Sequence, residues 1–553
     1  MVPKEPPESK FTQHAQPKHA VVMVLGDLGR SPRMQYHALS LLEHGHYVTL
    51  IGYAGEDLIS PLQKASAPLD LASNNDDQSS KASSSYQGNF HVLRMKPYQP
   101  PRTNILHRLF YYPLRLASLL FCVIHTLWVQ LHQVPHTKTP VDVMLVQNPP
   151  SVPTLMLGYL FCLWQGIKTR GRRPRFVIDW HNLGFSMFES STQRTLAKFY
   201  ERIVGPLADA HLCVTHAMEV WLGENFDVHG KRVRVLYDKP PFMFGPTRVE
   251  EQHDLFSRLE LDKEERHFGC NDGRSKTKIE FWLEELRIRD EVDAGELVEE
   301  TLLTQMIINR NGESKISLRK NRPALLVSST SWTPDEDFSI LLKALEKLQS
   351  SIGKRNNFQR FPKILIIVTG KGPEKSHYLP LLKKFNDSHP QISIYTIWLR
   401  ADDYPKLLGC ATLGISLHTS TSGLDLPMKV LDMFGCQVPV CAVGFDCISE
   451  LVKDGVNGRV FGNEDELAKQ LYELLKSYPE NCNTDLDRYR KNIEGTARWR
   501  ENWDECAKDL VVGNWINEKS RRQDFHWTIK FLVFALSYSV MYWFAFKRIN
   551  KSD

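Results

Sequence analysis

At 553 residues the chain is too long for one ordinary core, and 42% apolar with 24% charged side chains is a globular composition that excludes disordered and fibrous classes. Its 69 basic and 64 acidic residues leave a net charge of +5, which argues neither for nor against nucleic acid, and no nucleic-acid partner is expected. Ten cysteines without dense spacing read as reduced thiols facing the cytosol; Cys436, Cys441 and Cys447 contain no CxxC pair, so no metal site is expected there.

Residues 1–19 form a polar, proline-rich tail without an apolar h-region, so neither a signal peptide nor an N-terminal anchor is expected. From residue 20 apolar strands alternate with helical segments, the pattern of an α/β doubly wound unit. AVVMVLGD (20–27) is a strand, GRSPRMQYHALSLLEHG (29–45) a loop then a helix, and HYVTLIGY (46–53) the next strand. The first turn reads GDLG, so the dinucleotide fingerprint is absent. Residues 62–89 are a Ser/Asn/Asp-rich insertion, and FHVLRM (90–95) resumes the sheet. RLFYYPLRLASLLFCVIHTLWVQL (108–131) is broken by Pro113, Arg115, His125 and Gln130, and reads as a helix lying on a bilayer face or buried beside the sheet. VDVMLVQNPPSVPT (141–154) and RFVIDWHNLGFSM (175–187) are further strands. The second ends in Asp179, His181 and Asn182, at the edge where open α/β sheets bind ligands. Strands at 210–215 and 232–238 complete a first domain over 20–246.

Residues 247–321 are crowded with charge and read as an insertion or linker with one or two solvated helices. A second α/β domain is expected over 322–511, from strands at 323–329, 363–373, 391–399, 412–419 and 438–444 and a tryptophan-bearing terminal helix (496–511) folding back across the pair. Two such domains facing across a cleft form the GT-B layout, suited to a nucleotide-sugar donor on one side and an acceptor on the other. Within the second domain, SLHTSTSGLDLPMKVLDMFGC (416–436) joins a strand to a helix through small polar residues, with Pro427 at the first turn. Amides and a helix dipole at such a joint suit a diphosphate. Residues 527–546, WTIKFLVFALSYSVMYWFAF, are long and apolar enough for a transmembrane helix.

VVMVLGDLGRSPRMQYHALSL (21–41), DWHNLGFSM (179–187) and TSTSGLDLPMKVLDMFGCQVPVCAV (419–443) closely resemble the chitobiosyldiphosphodolichol beta-mannosyltransferases, over most of 20–245 and 323–510. The resemblance implies an inverting mannosyltransferase moving mannose from GDP-mannose, in a β1,4 link, to GlcNAc2-diphosphate-dolichol. It places the enzyme on the endoplasmic reticulum membrane with catalytic domains facing the cytosol, among membrane lipids and the other glycosyltransferases of N-glycan precursor assembly. The chain departs from the family in carrying its strong hydrophobic segment at the C-terminus, and in the insertions at 62–89 and 247–321. The glutamate pair of the wider GT-B group is replaced by Asp425 and Asp432, and SSTSWTPDED (328–337) has no basic residue after the first strand of the second domain.

The chemistry needs a base for the acceptor hydroxyl, a positive cradle for departing GDP and a dry, aligned cleft. His181 and Asp27 are the candidate bases. Ser329, Ser331, Gly370, Lys371, Ser422, Gly423 and Lys429 are expected to hold the donor, with Asp432 on the ribose. Gly29, Arg30 and Arg33 are expected to bind the acceptor diphosphate. No metal and no cofactor is expected, because no DxD motif follows a strand. The other readings are a different lipid-linked GT-B glycosyltransferase, separated by the linkage made, and an inactive membrane scaffold, which would bind GDP without transferring mannose.

Overall fold

The computed structural model describes residues 16–66, 88–96, 105–134, 140–259, 261, 277–289, 295–309, 311–354, 361–400, 402–420, 422–479, 484–496 and 498–513. The apolar stretch 527–546 and most of the 62–89 insertion lie outside them.

Seven strands build the first sheet: His19–Asp27 (β1), Tyr47–Tyr53 (β2), Phe90–Met95 (β3), Val143–Asn148 (β4), Arg175–Trp180 (β5), Ala210–Cys213 (β6) and Val233–Val235 (β7). All pair in parallel, in the order β3-β2-β1-β4-β5-β6-β7. Helices cover both faces, so strands such as β1 are unbroken apolar runs, with Ala20, Val21, Val22 and Met23 fully buried. Strand order reverses between β1 and β4, which opens a crevice at their carboxyl ends.

The charged segment after the first domain is not a solvated linker. Its helices Val249–Arg258 and Lys278–Arg289 accompany a three-stranded antiparallel sheet of Gly295–Glu300 (β8), Thr304–Asn309 (β9) and Ser314–Leu318 (β10). Leu255, Phe256, Trp282, Leu286, Leu302 and Leu303 join Leu325, Val327 and Tyr395 of the second domain in one buried cluster. Truncating a fully buried tryptophan such as Trp282 costs about 3–5 kcal/mol, so this segment is part of the second domain's core.

The second domain repeats the first. Ala324–Ser329 (β11), Ile364–Thr369 (β12), Ile392–Ile397 (β13), Leu413–Ser416 (β14), Val440–Val443 (β15) and Gly458–Phe461 (β16) form a parallel sheet ordered β13-β12-β11-β14-β15-β16. The order reverses between β11 and β14, again opening a crevice at the carboxyl edge.

The chain then returns to the first domain. In the helix Trp499–Cys506, the indole N–H of Trp499 donates to Ser40 Oγ (3.0 Å) and that of Trp503 to His37 Nδ1 (2.9 Å). Both acceptors lie on the helix Pro32–Glu43.

The helix Ile105–Trp128 lies against the helix Thr154–Lys168, with Trp128 packed edge-on to Phe161 at 5.4 Å between centroids. Val123 and Leu127 are buried, while Leu114, Leu116, Phe121 and Ile124 face outward and Phe121 is 70% exposed. Residues Leu114–Gln133 are long and apolar enough to cross a membrane.

Candidate active site

The carboxyl edges of the two sheets meet. Past β5, the Asn182 side-chain amide donates to Asp425 Oδ1 (3.1 Å) in the loop that follows β14. Thr215, past β6, donates its hydroxyl to the Leu424 carbonyl (2.6 Å) in that loop. Glu450 of the second domain accepts the free amides of His216 and Ala217 (2.7 and 2.8 Å), which open the helix His216–Phe226, and the Tyr237 hydroxyl (2.8 Å). A carboxylate at a helix N-terminus satisfies orphan amides and the dipole together. Asp425, for which the sequence offered no role, also gathers Ser420 and Ser422 (3.2 Å), so one carboxylate shapes the loop and ties it to the first domain.

On the first domain, Asp179 is the hub. It is fully buried and accepts from Arg33 Nε (2.8 Å) and Nη2 (2.9 Å), while His37 Nε2 (3.1 Å) and His181 Nε2 (2.8 Å) both meet its Oδ2. Burial alone would raise its pKa, but the Arg33 guanidinium and His181 hold it well below the usual carboxylate range. His181 leaves 22% of its side chain exposed at the cleft edge. The loop that carries it is fixed from beneath by buried Glu201, which accepts from Gly184 N–H (2.9 Å) and Asn148 Nδ2 (3.2 Å).

Asp27 occupies a different role. Both its oxygens take the Glu56 amide (3.1 Å) and one also takes the Gly29 amide (2.9 Å), so it knits the turn after β1 to the loop after β2. Gly29 serves that same packing, since a Cβ there would strike the Glu56 carbonyl. Arg30 is exposed and pairs with Glu56 at 2.7 Å.

Arg33 corrects the sequence expectation most sharply. It is only 4% exposed and spends its guanidinium on Asp179, on Asp238 (2.8 Å) and on the Leu236 carbonyl (2.7 Å). Burial opposes its charge, yet the two aspartates raise its pKa above the ordinary arginine value. It is an internal strut and does not reach an acceptor.

On the second domain, Ser329 ends β11 and bonds the Tyr404 hydroxyl (3.0 Å) and Thr369 (3.3 Å). Gly370 sits at φ +128°, a conformation side chains rarely take, and a Cβ there would strike the Thr330 carbonyl. Beside it, the Lys371 ammonium lies 3.9 Å from the ring centre of Trp398, a tryptophan left 63% exposed at the end of β13. Ser422 donates to Asp425, and Gly423, at φ +75°, turns the loop.

Lys429 opens the helix Met428–Gly435 and donates to Ser331 Oγ (3.1 Å) and to Glu336. Glu336 is buried and also accepts from Thr330 and the Ser331 amide. The acids noticed in SSTSWTPDED therefore provide a counter-ion for a lysine delivered from the opposite loop. Asp335, Glu336 and His418 stand close enough to hold a cation, all within 4.8 Å, and the Lys429 ammonium already supplies one there. Asp432 is half-buried, close enough to Tyr36 of the first domain and Tyr404 of the second for its charge to act on both, and burial pushes its carboxyl up to about 7.

The arrangement pairs an oriented imidazole on one sheet edge with a lysine-bearing polar loop on the other. The family model for glycosyl transferases group 1 matches residues 322–477, the domain that carries this loop. Among solved structures, a glycosyltransferase from Rickettsia africae covers 90% of this chain and 100% of its own at 12% identity and TM-score 0.49, too loose a likeness to argue from. The fold, the site and the matched model together define a glycosyltransferase of the two-domain, GT-B kind.

The sequence relatives are more specific. The chain is 38% identical over 503 residues to the Homo sapiens chitobiosyldiphosphodolichol beta-mannosyltransferase, spanning 90% of this chain and 93% of that protein. It is 39% identical over 511 residues to UDP-glycosyltransferase TURAN of Arabidopsis thaliana, spanning 89% and 97%. The chain belongs to the chitobiosyldiphosphodolichol beta-mannosyltransferase family.

Proposed function

We propose that this glycosyltransferase transfers mannose from GDP-mannose, with inversion, to the O4 hydroxyl of the terminal GlcNAc of GlcNAc2-diphosphate-dolichol. The observation that carries the reading is His181, held by a buried ionised aspartate at the cleft edge, opposite the loop that ends at Lys429. His181 is preferred to Asp27 because both Asp27 oxygens are engaged by backbone amides, whereas Asp179 occupies only Nε2 of His181. Its Nδ1 accepts the O4 proton as O4 attacks the anomeric carbon and the bond to GDP breaks on the opposite face. One in-line displacement inverts the centre. Lys429 shifts from Glu336 toward the leaving diphosphate, and Ser331, Ser422 and Lys371 complete its surroundings.

Asp432 takes the ribose hydroxyls. They donate to the ionised carboxylate, so donor binding is coupled to loss of its proton. GDP affinity is expected to rise as the pH is raised through about 7 and then level off. The Asp432→Asn enzyme should bind GDP more weakly and show no such slope, as titration calorimetry at several pH values would reveal.

No metal enters this scheme, in which Lys429, drawn from Glu336, supplies the cation at the leaving diphosphate. Activity is expected to survive EDTA; strict dependence on added Mg²⁺ or Mn²⁺ would contradict this.

The outward apolar side chains of the helix Ile105–Trp128 support contact with the membrane that carries the acceptor, here the cytosolic face of the endoplasmic reticulum. The test is transfer from labelled GDP-mannose to a short-chain GlcNAc2-diphosphate lipid, with UDP-sugars and dolichyl-phosphate mannose as alternative donors. The Arabidopsis relative is named a UDP-glycosyltransferase, which makes the UDP arm the sharpest comparison. Transfer only from a UDP-sugar would overturn the donor assignment.

A further inference from the structure

We propose that Trp503 and His37 are positioning residues for His181: an indole N–H donated from the return helix orders the protons along a buried chain that ends at the base. This rests on the reading of His181 as the base.

The chain runs Trp503 Nε1 to His37 Nδ1 (2.9 Å), His37 Nε2 to Asp179 Oδ2 (3.1 Å), and Asp179 Oδ2 to His181 Nε2 (2.8 Å). Trp503, His37 and Asp179 are all fully buried. An indole nitrogen can only donate, so Nδ1 of His37 must be the lone pair. His37 is then neutral with its proton on Nε2, and that N–H donates to Asp179. Burial, which favours the uncharged ring, pushes in the same direction, against the pull of Asp179. Asp179, ionised against Arg33, can only accept, so Nε2 of His181 also carries a proton. The remaining nitrogen, Nδ1 of His181, holds the free lone pair.

Charged and titratable groups face this chain from several elements. Arg33 and His37 come from the first helix, Asp179 and His181 from the end of β5, Cys213 from β6, and Asp238 from beyond β7. His44 packs on Trp503 at 5.3 Å and pairs with Asp504 at 2.9 Å. Only the Trp503 N–H occupies the Nδ1 lone pair of His37. Without it, that nitrogen is free to take a proton, and an imidazolium would add a second cation to the carboxylate that orients His181. An added cation disfavours protonation of His181, so the acid limb of kcat moves to lower pH, and a weaker base lowers the plateau.

The test is the kcat–pH profile of Trp503→Phe in the full-length enzyme with GDP-mannose and the GlcNAc2-diphosphate lipid. The limb is expected to move down by about half a unit or more and the plateau to fall by about two- to threefold, with KM for GDP-mannose unchanged. A glutamine at His37 can accept from the indole and donate to Asp179 but cannot take a proton. His37→Gln, alone or combined with Trp503→Phe, should therefore keep the wild-type limb. Trp499→Phe, whose N–H goes to Ser40, should leave the limb in place. Turnover reduced equally at every pH in Trp503→Phe, with the limb unmoved, would overturn the inference. Should that variant not fold, ¹⁵N-histidine NMR of the wild type, assigned against His37→Gln, reads the tautomer directly, and a proton on Nδ1 of His37 refutes it. Near-normal turnover in His181→Ala is a separate outcome that removes the base assignment itself.

Discussion

His181→Ala is expected to lower kcat by about 10²–10⁴-fold while leaving KM for GDP-mannose nearly unchanged, the range ordinarily lost with a general base. Steady-state kinetics at saturating donor and acceptor would read it. On the proposed reading the loss falls on kcat, because the imidazole acts on the acceptor proton and, among the described residues, its hydrogen bond goes to Asp179 and not to the loop of Ser420, Ser422 and Asp425. Asp27→Ala should do something different. Removing its carboxylate frees the amides of Gly29 and Glu56 and loosens the turn after β1, a positional effect on the acceptor side. Near-normal turnover in both variants would place the base elsewhere.

The second large effect is on stability. Arg33→Met leaves Asp179 and Asp238 without the cation that holds them, and stranding one partner of a buried ion pair costs about 3–5 kcal/mol. In the wild type the pKa of Asp179 is depressed, so its contribution is fully present above the ordinary carboxylate pKa of about 4 and is lost only as pH falls through the lower folded value. Without Arg33, burial dominates and raises that pKa, so the sign reverses. The deficit in unfolding midpoint should then be largest at neutral pH and shrink on acidification. Arg33→Lys should not rescue it, since one ammonium cannot reproduce the fork spanning Asp179, Asp238 and the Leu236 carbonyl. A variant of normal stability with only a raised KM for the acceptor would restore Arg33 to the surface role its sequence context suggests.

That contrast shows what was legible in the sequence and what was not. Strand and helix periods follow local side-chain patterns, so both sheets could be read from runs such as AVVMVLGD and KILIIVTG. The motif GRSPR looked like an anion clamp because Arg33 stands three residues past Arg30 on a glycine turn. Its partners, however, lie 146 and 205 residues away, where no local pattern can point. The same distance hid Trp503 from His37, 466 residues apart, and Glu336 from Lys429, 93 apart. In the charged segment after the first domain, high charge masked two short paired strands. TQMIIN and SKISL pair across Asn311-Gly312, with Gly312 at φ +79°, a hairpin signal that composition alone had swamped.

Two features of the donor edge follow from the same geometry. The donor edge carries more acid than base, with Asp425, Glu336 and Asp432 against Lys429 and Lys371. A diphosphate entering there exchanges partners with carboxylates and does not simply neutralise a positive pocket. Contacts from Asn182, Thr215 and Glu450 hold that edge against the first domain, so seating of the donor and alignment of His181 share one set of bonds.

The central claim is a single inverting displacement by an imidazole-assisted hydroxyl. Its most direct test is the anomeric configuration of the product made from GDP-mannose and a short-chain GlcNAc2-diphosphate lipid, read by the one-bond C1–H1 coupling and by linkage analysis. A β1,4-linked mannose, formed by the wild type and about 10²–10⁴-fold more slowly by His181→Ala, is the predicted result. An α-linked mannose, or a β-linked one formed at an undiminished rate by His181→Ala, would contradict it.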